Sequence, residues 1–153
     1  MANITLNEKQ KHILRLMLTG QKDVFDYTDQ EMTVGSEVID MVGALKTELD
    51  AFEESGSEPM AWFWGKYLKQ EGLYKLDDIT KAQFSKKQKT ILEAASKGEY
   101  IAALEDKKTN SEYFEVISKV CSYIAETNAY KELNDSYRHY LAWFWAKYQE
   151  QKE

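Results

Sequence analysis

The strongest constraint on the fold is a seven-residue motif that occurs twice in the chain. It is Ala-Trp-Phe-Trp-Gly-Lys-Tyr at residues 61–67 and Ala-Trp-Phe-Trp-Ala-Lys-Tyr at residues 142–148, so only Gly65 and Ala146 differ. All four tryptophans of the 153-residue chain lie in these two motifs. Because tryptophan is a rare residue, the match indicates that a larger segment is repeated.

Other matches between the two halves extend the repeat. With an offset of 78 residues, residues 6–14 align with 84–92, and the identical Glu-Val-Ile triplets at 37–39 and 115–117 coincide. The Trp motifs need an offset of 81, so the second copy has three extra residues before its motif. The sequence therefore predicts a tandem duplication, with copies at residues 1–76 and 77–153 packed together as one domain.

The first helix of each copy has both a start signal and a stop signal. The start has the spacing of a capping box, in which the N-cap and a residue three positions later exchange hydrogen bonds. The stop is a glycine, which suits a left-handed C-cap. These residues are Asn7, Gln10 and Gly20 in the first copy, and Ser85, Gln88 and Gly98 in the second.

Two further helices are predicted in each copy from apolar spacing and from caps. The second helices are expected at about residues 36–52 and 111–130. The third helix of the first copy is expected to begin at Pro59 and to end before Gly72, and Asn134 or Asp135 is expected to cap its counterpart. The predicted fold is all-α, with two three-helix copies related by an approximate twofold axis.

The composition is that of a folded domain. A hydrophobic share of 43% and an aromatic share of 13% argue against disorder. The apolar runs are too short to cross a membrane. Cys121 is the only cysteine, which excludes an internal disulfide and fits a reducing compartment, so we expect a cytoplasmic protein. We also expect Cys121 to be a small buried side chain rather than a nucleophile.

The charge is negative and unevenly distributed. The net charge is −6, but residues 1–78 carry −7 and residues 79–153 carry +1. This balance disfavours direct nucleic-acid binding, which needs clustered lysine and arginine. It favours a protein partner with a basic surface, which would meet the first half of the chain. Mimicry of DNA by that acidic half is a variant of the same hypothesis.

No catalytic or metal-binding motif is recognisable. The two histidines, His12 and His139, are single and are not equivalent in the two copies. The acidic run at residues 23–31 suggests calcium superficially, but it lacks the spacing and the turn glycine of an EF-hand loop. The sequence thus predicts a chain without metal or cofactor that is not an enzyme. A carboxylate site of an unrecognised kind is kept as an alternative.

Two charged residues are preserved between the copies. Glu48 corresponds to Glu126, and Lys66 corresponds to Lys147. An ion pair between the second and third helices of each copy would explain both matches. Solvent-exposed faces would explain them equally well.

The Trp motif has two interpretations. Residues two apart on a helix are about 200° apart around its axis, so Trp62 and Trp64 point to different sides. The favoured interpretation is that one side packs within its own copy and the other against the sister copy. In the other interpretation, the aromatic residues are exposed anchors for a partner. The candidate partner-binding residues are Trp62, Trp64, Tyr67, Trp143, Trp145, Tyr148, Asp23, Asp26, Asp29 and Glu31.

The leading functional hypothesis is a non-enzymatic, acidic inhibitor or adaptor that binds a cytoplasmic protein. Toxin-immunity proteins and phage anti-defence proteins are functional analogues of such a chain. The excess of lysine over arginine, 18 to 2, favours a bacterial or phage origin. The alternatives are a structural protein that self-associates through the Trp helices, for example as a homodimer, and an enzyme with an unrecognised carboxylate site.

Overall fold

The computed structural model describes residues 3–22, 24–56, 58–98, 107–136 and 138–152. Within these ranges the regular elements are eight α-helices and two short 3-10 turns, at Val24–Asp26 and Ile79–Lys81, with no strand. The predicted all-α fold class is confirmed. The helices are α1 (Glu8–Thr19), α2 (Asp29–Leu49), α3 (Phe52–Ser55), α4 (Pro59–Glu71), α5 (Lys86–Ser96), α6 (Lys107–Thr127), α7 (Tyr130–Asp135) and α8 (Tyr140–Lys152).

The capping signals of α1 and α5 are confirmed. In α1 the Asn7 side chain accepts from the backbone N–H of Gln10, and the Gln10 side chain returns the bond. Ser85 and Gln88 form the same reciprocal pair at the start of α5. Gly20 ends α1 in the left-handed conformation, with φ of 65°. These local signals were sufficient because each depends on residues at most four positions apart.

Two of the predicted boundaries are wrong. A capping box of Thr28 and Glu31 starts α2 at Asp29, well before the expected position near residue 36. Asn134 and Asp135 do not cap the last helix, because they lie in the separate short helix α7. The side-chain amide of Asn134 instead donates a 2.7 Å hydrogen bond to the carbonyl of Glu53 in α3.

The core is one continuous apolar cluster to which both halves of the chain contribute. Its largest fully buried side chains come from α1, α2, α4, α5, α6 and α8. They include Ile13, Leu14, Val38, Trp62, Phe63, Leu68, Leu92, Val116, Ile117, Val120, Leu141 and Phe144. Helices α4 and α6 supply three each, and these two helices pack directly on each other.

Helix α6 is covered on two opposite faces. On one face, Phe114 and Ser118 contact Trp64 of α4. On the other face, Tyr123 packs edge-on against Phe144 of α8. Helix α1 joins α4 on the first face and α5 joins α8 on the second. The helices therefore form successive layers, in the order α2, then α1 with α4, then α6, then α5 with α8.

Helix α2 lies at one end of these layers and has a single covered face. Its principal contacts are with α1, α3 and α4. In the predicted repeat, α8 corresponds to α4 and α2 corresponds to α6. Because α4 lies on α6, a twofold axis between the halves would also place α8 on α2. The contacts of α2 do not support the twofold axis predicted from sequence, because they run within its own half of the chain.

Candidate docking surface

The first Trp motif belongs to the core. Trp62, Trp64 and Tyr67 of α4 are all buried, with at most 6% of each side chain exposed. Trp62 faces its own half of the chain, where its indole N–H donates a 2.8 Å hydrogen bond to the Glu54 carboxylate. Trp64 faces α6, so the packing interpretation of the motif describes α4 correctly.

Trp64 is fixed on α6 by two contacts. Its indole N–H donates a 2.9 Å hydrogen bond to the hydroxyl of Ser118. Its ring lies 5.3 Å from the ring of Phe114. A buried indole N–H needs such a partner, since an unpaired buried donor is costly.

Gly65 sets the distance between α4 and α6. A Cβ atom at this position would lie 2.8 Å from the carbonyl oxygen of Cys121, which is closer than carbon and oxygen can approach. The motif of α4 therefore has glycine because the neighbouring backbone occupies the space of a side chain. This explains why the two copies of the motif differ at Gly65 and Ala146.

The preserved lysines of the two motifs form ion pairs, but not with the glutamates expected from sequence. Lys66 lies 3.4 Å from Glu54, and Lys147 lies 2.5 Å from Glu132. The expected pairing with Glu48 and Glu126 is wrong. It was missed because Glu54 and Glu132 lie beyond the ends of α2 and α6, in or next to the short helices that the sequence analysis did not identify.

The second Trp motif is less completely buried than the first. Trp143 and Tyr148 of α8 are buried, whereas Trp145 is partly exposed. The Trp145 ring stacks on Tyr148 at 5.9 Å and 24°, as Trp64 stacks on Tyr67 at 5.4 Å and 24°. Ala142, Ala146 and Gln149, on the same side of α8 as Trp145, are also partly or fully exposed. We call Ala142, Trp145, Ala146 and Gln149 the α8 face.

The acidic candidates are not brought together with the aromatic ones. Asp26 and Asp29 are exposed near the N-terminus of α2, and Asp23 lies outside the described residues. Glu31 accepts a 2.7 Å bond from Lys22 and a 2.8 Å bond from the backbone N–H of Thr28. The Lys22 ammonium, and then the Thr28 N–H, hold the pKa of Glu31 below its ordinary value. Glu31 is thus a capping residue of α2.

The segment around α2 holds most of the large apolar side chains that are exposed, and the sequence does not predict their exposure. Eight large apolar side chains are exposed among the described residues, and six of them lie between residues 24 and 52. They are Val24, Phe25, Met32, Ile39, Leu49 and Phe52. Exposed residues on one side of α2 define what we call the α2 face: Met32, Ser36, Ile39, Asp40 and Gly43.

The segment that contains the α2 face is strongly acidic. Residues 23–58 contain eleven acidic side chains and a single basic one, Lys46, which gives a net charge of −10. The Lys46 ammonium lies 5.5 Å from the centre of the Phe52 ring, at the C-terminal end of the helix. Met32 and Ile39 are thus exposed apolar side chains within a strongly acidic segment, which is suited to a basic protein surface with apolar residues at its centre.

A cleft of about 970 Å³ lies between α3 and α7. Its walls include Glu54, Glu58 and His139, and the Glu58 carboxylate lies 3.5 Å from the imidazole of His139. The Glu54 carboxylate is already bound by Trp62 and Lys66. Among the described residues, no group of three histidine, cysteine or acidic side chains is arranged to hold a metal ion.

Cys121 is buried within α6, as its interpretation as a small core residue predicts. Burial raises the pKa of its thiol far above the ordinary value. A thiol that stays protonated is a poor nucleophile. His12 lies on the exposed surface of α1, apart from the cleft and from Cys121.

No family model, curated protein or solved structure matches this chain. In the part of the chain that the structure describes, no helix has both the length and the apolar character needed to cross a membrane.

Proposed function

We propose that this chain is a non-enzymatic protein-binding module whose α2 face binds a partner with a basic surface. The observation that carries the proposal is the exposure of Met32 and Ile39 on α2 within a segment of net charge −10. Exposed apolar strips with polar rims are typical of docking sites. In its specific form, the module is an inhibitor or adaptor that acts on a cytoplasmic protein, by analogy with immunity and anti-defence proteins.

The exposure of Ile39 supports a role outside folding. Ile39 corresponds to Ile117 in the repeat, yet 54% of its side chain is exposed, against 0% for Ile117. Phe52 and its counterpart Tyr130 show the same contrast, at 57% and 4%. Ile39 and Phe52 are not buried in the core, so they contribute little to folding. Their apolar side chains would contribute to binding if a partner covered them.

The chemistry of the polar residues supports a non-enzymatic role. Glu54, in the cleft between α3 and α7, is bound to Trp62 and Lys66. The thiol of Cys121 is buried. Glu58 and His139 pair with each other at the surface. At these three places the groups that could do acid–base or nucleophilic work are therefore engaged or inaccessible.

We also infer that α1–α4 and α5–α8 are copies of one four-helix unit. α2 and α6 begin and end 78 residues apart, and α4 and α8 begin and end 81 residues apart. The ion pairs Glu54–Lys66 and Glu132–Lys147 are equivalent, as are the two stacked Trp–Tyr pairs. These parallels support a tandem duplication in which the two copies became different on their outer faces.

The proposal is tested with three baits in an extract of the organism that encodes the chain. The baits are the parent chain, Ile39→Asp on the α2 face, and Leu73→Asp, which changes a similarly exposed residue elsewhere. We expect one protein to be captured by the parent and by L73D, lost with I39D, and released as salt is raised. Purified, that protein should bind the parent more tightly than I39D. Equal binding to the parent and to I39D would contradict the proposal.

A further inference from the structure

We propose that the α2 face also binds a second copy of this chain, through the α8 face, so that copies associate head to tail. This inference goes beyond the proposed function, because both partners are the same chain. A foreign partner and a second copy would compete for the α2 face. The contact between α4 and α6 within one chain provides the geometry.

The α2 face is equivalent to the surface of α6 that α4 covers. In α6, Phe114 and Ser118 contact Trp64, and Cys121 contacts Gly65. The residues of α2 that correspond to these three in the repeat are Ser36, Asp40 and Gly43. In α6 this surface is covered by the preceding layer of the same chain. In α2 the equivalent surface is exposed, because α2 is the first layer.

The α8 face is equivalent to the surface of α4 that docks on α6. Trp145 and Ala146 correspond to Trp64 and Gly65, and the indole of Trp145 has the stacking geometry of Trp64. Trp145 is partly exposed, and its indole N–H donates no hydrogen bond to any residue that the structure describes. Each end of the molecule therefore presents one half of the interface that the interior contains complete.

The two faces are complementary in hydrogen bonding. Placed on a second α2 as Trp64 lies on α6, Trp145 would meet Asp40, the counterpart of Ser118. The indole N–H would then donate to a carboxylate, which is a stronger acceptor than a hydroxyl. The same placement sets Ala146 against the backbone of Gly43, as Gly65 lies against the carbonyl oxygen of Cys121, so the helices must lie slightly further apart.

The two ends are also complementary in charge. Helix α5 shares the last layer with α8. Its Lys86 and Lys87 are exposed and its Lys89 is half-buried, and the exposed Lys97 follows its last residue. Residues 79–98 contain five lysines and one glutamate, a net charge of +4, whereas residues 23–58 carry −10. Opposite charges at the two ends favour head-to-tail contact over contact between two like ends.

The contact should be weaker than the internal one. Ala146 has a methyl group where Gly65 has none, and Gln149 stands where α4 has the buried Leu68. The methyl group of Ala146 keeps the two helices further apart, and Gln149 leaves a polar side chain at the contact. We therefore expect reversible association with a dissociation constant of roughly 10–100 µM, in the range of small interfaces.

Sedimentation equilibrium of the purified full chain tests the proposal. Because the two faces differ, the contact is heterologous and does not close after two copies. The average mass should rise from 17.8 kDa beyond that of a dimer between about 10 and 500 µM, and the rise should shrink at high salt. A mass that stays monomeric, or that stops at the dimer, would overturn the proposal.

Variants of each face sharpen the test. Gln149→Leu restores the apolar residue of α4, and Ala146→Gly removes the extra methyl group, so each should strengthen association about tenfold. Gln149 is fully exposed, so its substitution leaves folding intact. Ile39→Asp and Trp145→Ala should each abolish association, while Leu73→Asp should not. Association that is unchanged in Q149L and in I39D would contradict the assignment of the faces.

Mixing complementary variants separates head-to-tail association from any symmetric contact. I39D retains the α8 face and W145A retains the α2 face, so each should be monomeric alone. Their equimolar mixture should form a 1:1 dimer and nothing larger. Circular dichroism first establishes that W145A is folded, and Gln149→Glu replaces it in the mixture if it is not. A mixture that remains monomeric, or that grows beyond the dimer, would show the pairing of faces to be wrong.

The same variants distinguish this inference from the proposed function. W145A cannot self-associate but has an intact α2 face, so it should still bind the foreign partner. Partner binding by W145A together with a monomeric parent chain would reject self-association alone. Self-association without any I39D-sensitive partner would reject the proposed function alone.

Discussion

At the scale of single residues, Gly65 is the clearest case of a position dictated by its neighbour. Its Cα hydrogen faces the carbonyl oxygen of Cys121, which would lie 2.8 Å from a Cβ atom. We expect Gly65→Ala to lower the free energy of unfolding by about 1–2 kcal/mol, because overpacking outweighs the gain in helix propensity. Urea denaturation followed by tryptophan fluorescence measures the change.

The reverse substitution in the second motif is the matched control. Ala146 is partly exposed on α8, so Ala146→Gly should cost only the helix propensity of alanine, about 1 kcal/mol or less. A G65A variant as stable as the parent would mean that α4 and α6 are further apart than the structure has them.

Individual helices differ in how much of their extent follows from local sequence. The caps at Asn7, Ser85 and Pro59 were predictable because each signal lies within one helical turn. The start of α2 was missed because its capping box, Thr28 with Glu31, lies in an acidic run that was considered as a metal or partner-binding site and not as a helix start. The break before α8 depends on Asn134 bonding to Glu53 some eighty residues earlier, which no local pattern encodes.

Glu31 provides a test of the start of α2. Its carboxylate binds Lys22 and the Thr28 N–H, and these bonds lower its pKa from the ordinary 4.5. A lowered carboxyl pKa stabilises the folded chain above that ordinary value, and the stabilisation is lost as pH falls through the lower folded value. Glu31→Ala should lower the free energy of unfolding by about 1 kcal/mol at pH 7.

The pH dependence of the Glu31 effect is the control. Denaturation of the parent and of E31A at pH 7 and at acid pH should show the difference shrinking as the pH falls through the lowered pKa of the parent carboxylate. Glu31→Gln, which keeps an acceptor for Thr28, should cost less than E31A. A difference of equal size at both pH values would count against the charged cap.

At the scale of the whole molecule, the all-α fold class and the burial of the first Trp motif followed from the sequence. The exposed α2 face did not. Val38, Ile39 and Val42 have the same apolar spacing as Val116, Ile117 and Val120, yet Ile39 is exposed and Ile117 is buried. Ile39 is exposed because α2 is the outermost helix of the layers, whereas α6 is covered on both sides. An apolar pattern that is the same in both helices does not indicate which of them is outermost.

The buried phenols predict alkaline sensitivity of the folded chain. Burial raises the pKa of Tyr130 and Tyr140 well above the ordinary 10.0. Below pH 10 the phenols stay protonated in both the folded and the unfolded chain. Above pH 10 only the unfolded chain releases these protons, so the free energy of unfolding falls. The free energy of unfolding should be flat near pH 8 and should fall by about 1.4 kcal/mol per pH unit for each phenol above pH 10.

Urea denaturation at pH 8, 10 and 11 measures this slope, and Tyr140→Phe is the control that should reduce it. Ultraviolet titration at alkaline pH should show the two phenols ionising only as the chain unfolds. A slope that is the same in the parent and in Y140F would mean that Tyr140 is accessible to solvent.

The most direct test of the exposed α2 face is the free energy of unfolding of Ile39→Asp, measured beside Ile117→Asp. The structure places the first side chain in solvent and the second in the core. We expect I39D to match the parent within about 0.5 kcal/mol and I117D to lose more than about 3 kcal/mol. A comparable large loss in I39D would show that α2 is covered within the folded chain, and would contradict its assignment as a docking surface.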